Sequence, residues 1–190
     1  MIYKRPWIAL FSHTGSEIRD ISSLLLTNPD AVVYNGNSAI PSIIHAKVFN
    51  YPYRIELANS KPSIQEYRDL FSKYKNPLIT LHGWMRIIPK EICEEYTIYN
   101  GHPALINHYP ELKGKDPQKR IWENLDKYNK IGSVIHKVTP GVDEGEIVHK
   151  KEYILSPKIV WENEEEFVFS IRKLSLYSWT EFLTNPDLWK

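Results

Sequence analysis

Residues 7–16, Trp7-Ile8-Ala9-Leu10-Phe11-Ser12-His13-Thr14-Gly15-Ser16, decide the fold. Five consecutive apolar residues closed by a polar turn predict a strand covered on both faces, where side chains need not alternate. Beyond the turn, Ile18, Ile21 and Leu24-Leu25 recur at helical spacing, with Ser16 as the expected N-cap and Asn28-Pro29 as the stop. The unit is strand, turn, helix. A second apolar run follows at Ala31–Tyr34, broken by Asn35-Gly36-Asn37, then a weaker helical stretch over 40–47 and an alternating strand over 53–57. Ile64, Tyr67, Leu70-Phe71 and Tyr74 form the stripe of a helix laid on a sheet, and Pro77-Leu78-Ile79-Thr80-Leu81 returns to a strand. Strands alternating with helices predict an α/β fold: a Rossmann-like, mainly parallel twisted sheet with helices on both faces, because parallel neighbours need crossovers. Ligands of such sheets gather outside the strand C-termini, which directs attention to 12–17, 82–88 and 100–106.

The second half predicts a short strand over 97–100, a helix over 117–127, strands over 133–138 and 147–155 that pair across Thr139–Glu146, and one long terminal helix over 162–183. No repeat or Gly/Ser linker divides the chain, so residues 1–190 are expected to form a single domain. Hydrophobic residues make up 42% and charged residues 25%, which excludes disordered and collagen-like classes. Twenty-four Lys and Arg balance 23 Asp and Glu, so no whole-surface attraction to nucleic acid or anionic membrane is expected. Cys93 is the single cysteine, no signal-like start or bilayer-length apolar run occurs, and a cytoplasmic setting is expected.

Three stretches invite chemistry. Asn100-Gly101-His102-Pro103 puts a carboxamide and an imidazole two residues apart at a strand end, with Gly101 permitting close approach between them. Thr139-Pro140-Gly141-Val142-Asp143-Glu144-Gly145 is a turn-rich loop with two acids, which taken alone reads equally as a solvated hairpin. His82-Gly83-Trp84-Met85-Arg86-Ile87-Ile88-Pro89 sets large side chains after a strand, a pattern that core packing also explains. The histidines show no metal-ligand spacing, and no metal is expected.

Together these stretches resemble the folate-dependent formyltransferase family. Leu81-His82-Gly83-Trp84-Met85-Arg86-Ile87-Ile88 is similar to its Leu-Ala-Gly-Phe-Met-Arg-Ile-Leu, and Asn100-Gly101-His102-Pro103 to its Asn-Ile-His-Pro. Lys113-Gly114 falls where the family has a Gly. Ser133-Val134-Ile135-His136-Lys137-Val138-Thr139 followed by Val142-Asp143-Glu144-Gly145 is similar to His-x-Val-Thr and Leu-Asp-Gly-Gly. The resemblance implies formyl transfer from 10-formyltetrahydrofolate to a small-molecule primary amine, with glycinamide ribonucleotide of purine biosynthesis as the first acceptor. Other acceptors it leaves open are a nucleotide-linked amino sugar and water, the last making a formyltetrahydrofolate hydrolase. A folate-binding module without catalysis is the alternative of another class. Formylation of an aminoacyl-tRNA is disfavoured by the chain's balanced charge and by the extra C-terminal domain of such relatives.

The implied catalytic residues are Asn100, His102 and Asp143, with the first two stabilising a developing oxyanion and Asp143 supporting His102. The implied folate pocket comprises Met85, Arg86, Ile87 and Ile88, with Met85 and Ile88 covering the pterin faces, together with Thr139, Pro140, Gly141 and Val142. His136 matches a family histidine and reads equally as a packed strand residue. The acceptor's phosphate is implied at Gly15, Ser16 and Glu17, with Lys173 at the terminal-helix position of an amine-holding Glu. Here the chain departs from the family's Gly-Asn-Gly-Ser-Asn turn by carrying His13-Thr14-Gly15-Ser16-Glu17, and from Ser-Leu-Leu-Pro by carrying Ala104-Leu105-Ile106-Asn107. The donor half is better matched than the acceptor half.

Overall fold

The computed structural model describes residues 5–36, 54–156 and 160–189. The expected helix over 40–47 lies outside these residues. Strand order in the seven-stranded sheet is β3-β2-β1-β4-β5-β6-β7, and the chain groups into two compact units, Met1–Asn100 with Val138–Pro140, and Gly101–Lys137 with Gly141–Lys190.

In the first unit the apolar runs become parallel strands: β1 (Trp7–Phe11), β2 (Ala31–Tyr34), β3 (Arg54–Leu57), β4 (Leu78–Leu81) and the start of β5 (Ile98–His102). Helices α1 (Ser16–Leu25), α2 (Ile64–Phe71) and α3 (Lys90–Glu95) join them. Alternation assigns the faces. Ile8, Leu10, Ala31, Val33, Ile79, Leu81 and Ile98 pack with Tyr67, Leu70 and Phe71 of α2 and Ile92 of α3. The other face carries Trp7, Phe11 and Thr80, and α1 lies there: Glu17 reaches His82, in line with Thr80, and a Cβ on Gly15 would lie 3.1 Å from the Phe11 ring. Helices thus cover both faces of these strands.

Sequence and structure differ at the start of α1. Ser16 is the first helical residue, and the cap position is Gly15 in the left-handed region at φ 66° with no side-chain cap. The Ser16 amide, one of the first-turn donors with no partner inside the helix, donates to Thr14 Oγ1 (3.3 Å). Helix α2 has the expected cap, Ser63 Oγ accepting from the Glu66 amide at 3.2 Å.

In the second unit, β6 (Lys130–Lys137) and β7 (Ile147–Ile154) pair antiparallel. Helix α4 (Pro117–Trp122) is shorter than expected; the chain resumes as a 3-10 turn at Leu125–Lys127, because Asn124 Nδ2 bonds the Arg120 carbonyl. Helix α5 (Glu164–Thr184) is capped by Asn163, whose Oδ1 accepts from the Glu166 amide (3.0 Å) while Glu166 accepts from the Glu162 amide (2.9 Å). Phe167 and Ile171 of α5 join Ala104, Leu105, Ile106, Ile121, Ile131 and Val134 in this unit's core.

Candidate functional site

Three features of the second unit converge on one carboxylate. Strand β5 ends at His102, buried, with its carbonyl accepting from Ser133 Oγ of β6 at 3.1 Å. A bulge between Ile135 and His136 re-aims β6 at its end. The loop beyond β6 puts Asp143 in the left-handed region at φ 53°, a conformation Asp tolerates better than most residues. Asp143 Oδ2 then lies 3.2 Å from His102 Nδ1 and Oδ1 lies 3.3 Å from His136 Nε2. The Gly114 amide donates to Oδ2 at 2.8 Å.

The outer nitrogen of each imidazole faces a backbone carbonyl. His102 Nε2 is 2.9 Å from the Leu112 oxygen and His136 Nδ1 is 2.9 Å from the Lys137 oxygen. Carbonyl and carboxylate oxygens only accept, so His102 and His136 each meet an acceptor at both nitrogens. Arg120 fixes the carbonyl side, its Nη2 donating to Leu112 (3.1 Å) and Lys113 (2.9 Å). Burial alone would raise the Asp143 pKa, yet hydrogen bonds from His102 and His136, the His102 charge and the Gly114 amide hold it well below the usual carboxylate range. Asp143 is therefore an anchored anion.

Gly101 receives a specific reason. A Cβ there would lie 2.6 Å from Trp179 Nε1, so the close approach predicted at Gly101 is made by a ring of α5.

In the first unit, Asn100 sits on β5 opposite Leu81 of β4. Gly83, at φ 70°, turns the chain after β4. Trp84 is buried and donates to the Tyr67 hydroxyl at 3.1 Å. Met85 is 48% and Ile87 67% exposed, whereas Ile88 is 1% exposed and belongs to the core. The apolar surface this loop offers is thus that of Met85 and Ile87, which corrects the expectation for Ile88. Arg86 donates to the carbonyls of Ser60 and Met85. Thr139 Oγ1 is buried without a hydrogen-bond partner among the described residues.

Glu17 does not simply face outward as a helix-start acid: its Oε2 lies 2.9 Å from Nδ1 of His82, a side chain with no exposed surface. His82 reads from sequence as packing, and its partner lies 65 positions away. In the second unit Lys173 is exposed, its Nζ 4.5 Å from the Phe169 ring centroid. Val142 is exposed and Gly141 lies against the Glu144 side chain. Among the described residues no cluster of three His, Cys, Asp or Glu side chains is placed to hold a metal, and no helix is long and apolar enough to cross a membrane.

Comparison with known proteins gives a consistent assignment. The formyl transferase family profile matches residues 16–166. The chain is 37% identical over 124 residues to a phosphoribosylglycinamide formyltransferase of Dictyostelium discoideum, covering 60% of this chain and 54% of that protein. It is 25% identical over 138 residues to a methionyl-tRNA formyltransferase of Leptospira interrogans, covering 70% and 42%. The chain thus spans about half the length of these curated relatives. Among solved structures, glycinamide ribonucleotide transformylase 1 from Symbiobacterium toebii superposes with a TM-score of 0.75 at 18% identity over 96% of this chain and 87% of that one. A formyltetrahydrofolate deformylase from Pseudomonas syringae superposes with a TM-score of 0.72 at 18% identity, over 98% and 62%.

Proposed function

The chain belongs to the formyl transferase family, and from that premise we propose that it transfers the formyl group of 10-formyltetrahydrofolate to a primary amine, glycinamide ribonucleotide being the first acceptor. The observation that carries this reading is Asp143 held as an anion between His102 and His136. Transfer forms a bond from the amine nitrogen to the formyl carbon and breaks the bond from that carbon to the folate nitrogen; one proton passes from the amine to the departing nitrogen. Asn100 donates from its carboxamide to the charge that develops on the formyl oxygen, and His102 adds its positive charge there. Both His102 nitrogens are engaged by protein, so serving the substrate requires His102 to exchange its Leu112 or Asp143 contact. Asp143 holds the His102 charge and, through water, helps the proton across.

In the first unit the exposed Met85 and Ile87, with Arg86, Thr139 and Pro140, form the proposed folate wall; the Thr139 hydroxyl, unpartnered among the described residues, is a polar group for the ligand to satisfy. The turn at Gly15 and Ser16 is the proposed seat of the acceptor. Glu17 in that turn favours a second acceptor class, another primary amine that places no phosphate at this turn, because a carboxylate disfavours a nearby phosphate.

The experiment incubates the protein with 10-formyltetrahydrofolate and a panel of amines and follows tetrahydrofolate release. The reading expects one amine to accelerate release and to emerge formylated. Release that no amine accelerates over a boiled control overturns it, and release without any amine identifies hydrolysis.

A further inference from the structure

We infer that Glu17 and His82 act as a positioning pair that sets the loop Gly83–Ile88 for the folate, an inference that rests on the formyl-transfer reading above. The pair stands at the join between the first turn and that loop. His82 is wholly buried, with Nδ1 2.9 Å from Glu17 Oε2 and Nε2 2.9 Å from Thr80 Oγ1. The Trp7 indole donates to the same Thr80 oxygen at 2.8 Å. The Thr80 hydroxyl hydrogen is therefore directed at His82 Nε2 in preference to the Ile8 carbonyl, which is 3.5 Å away. That direction places the ring hydrogen on Nδ1, pointing at the carboxylate. The relay runs Trp7, Thr80, His82, Glu17, and every donor in it has an acceptor.

The next residues of the loop rest on the same segment. The Ser12 amide donates to the Gly83 carbonyl (3.2 Å), and Ser12 Oγ accepts from the Met85 amide (2.8 Å). Residues 82, 83 and 85 are thus all fastened to 12–17, and the loop reaches Met85 and Ile87 with its backbone fixed. Without the pair, the loop is released at its first anchor, and a ligand bears the cost of ordering it.

The test measures tetrahydrofolate binding by titration calorimetry on the full chain, with KM and kcat for 10-formyltetrahydrofolate alongside. His82→Leu fills the space without a donor and should weaken binding about fivefold or more, raising KM in proportion while kcat moves by less than about twofold. His82→Asn keeps an N–H where Nδ1 points and should stay within about twofold of the unaltered protein in binding. If His82→Leu does not fold by circular dichroism, Glu17→Leu, altered at the partly exposed end of the pair, is compared in tetrahydrofolate binding alone. A folded His82→Leu or Glu17→Leu that binds normally overturns the inference. So does His82→Asn binding as weakly as His82→Leu, because the ring would then serve packing alone. If the unaltered protein fails to bind tetrahydrofolate, the formyl-transfer reading falls first and this one with it.

Discussion

Two carboxylate–imidazole contacts occupy opposite roles in this molecule. Asp143 lies between two histidines whose outer nitrogens face carbonyl oxygens. Glu17 lies against one histidine whose outer nitrogen faces a hydroxyl. A carbonyl only accepts, so it demands a hydrogen from the ring; a hydroxyl can give one, so it leaves the ring satisfied without a second. The identity of the third atom, more than the carboxylate itself, separates a cluster that offers each ring two acceptors from a relay that offers its ring one acceptor and one donor. The first arrangement suits developing negative charge in a substrate, and the second suits holding chain segments in register.

The sharpest way to break this contrast is Asp143→Asn beside His102→Ala. Each should lower turnover by about a hundredfold or more while circular dichroism is preserved, since removal of a charge-stabilising donor or its support typically costs about 3 kcal/mol. Steady-state rates within tenfold of the unaltered protein would remove that residue from the mechanism. Next in size, Gly101→Ala drives a methyl toward Trp179 Nε1 and should lower the unfolding free energy by about 1–3 kcal/mol in urea melts. An unchanged midpoint would show that α5 yields freely.

Acid sensitivity tests the Asp143 cluster directly. Because the folded-state pKa of Asp143 is depressed below its ordinary 3.8, the stability it contributes is present above that pH and is lost as pH falls below it. Urea midpoints of the unaltered protein and Asp143→Asn should therefore differ steadily from pH 7 to about 4 and begin to converge as pH is lowered further, toward about 2.5. A gap that stays constant overturns the anchored-anion assignment. The smallest effect is expected at a helix cap: Ser63→Ala removes the α2 cap and should cost about 1 kcal/mol with turnover unaffected, stability being read from the same melts.

How much of this was legible depended on whether a contact was local. The run Trp7–Phe11 and the stripe Tyr67, Leu70, Phe71 announce strand and helix because periodicity is a local property. Asn100, His102 and Asp143 stood out through motif resemblance, and the structure brings His102 and Asp143 into contact. The Leu112 carbonyl and the Gly114 amide carry no side-chain signal, so the backbone half of that cluster was invisible apart from the glycine at 114. Glu17 and His82 each had an adequate local explanation, as a helix-start acid and as packing, and only the fold joins them. Ile88 misled for a related reason: the run Met85-Arg86-Ile87-Ile88 does not say which of its apolar side chains turn inward.

The strand order ends at β7, whose outer backbone groups pair with no further strand in that order. Such an edge is a template on which another chain can add itself. Ile147, Val148, Tyr153 and Ile154 would favour that addition, but Lys150, Lys151 and Glu152 interrupt them at mid-strand. Lys150 is paired with Glu152, and Lys151 is drawn to Glu181 of α5. A second strand docking here would have to disturb these ion pairs and take the charges out of water. The charged middle of β7 therefore acts as a guard against aggregation.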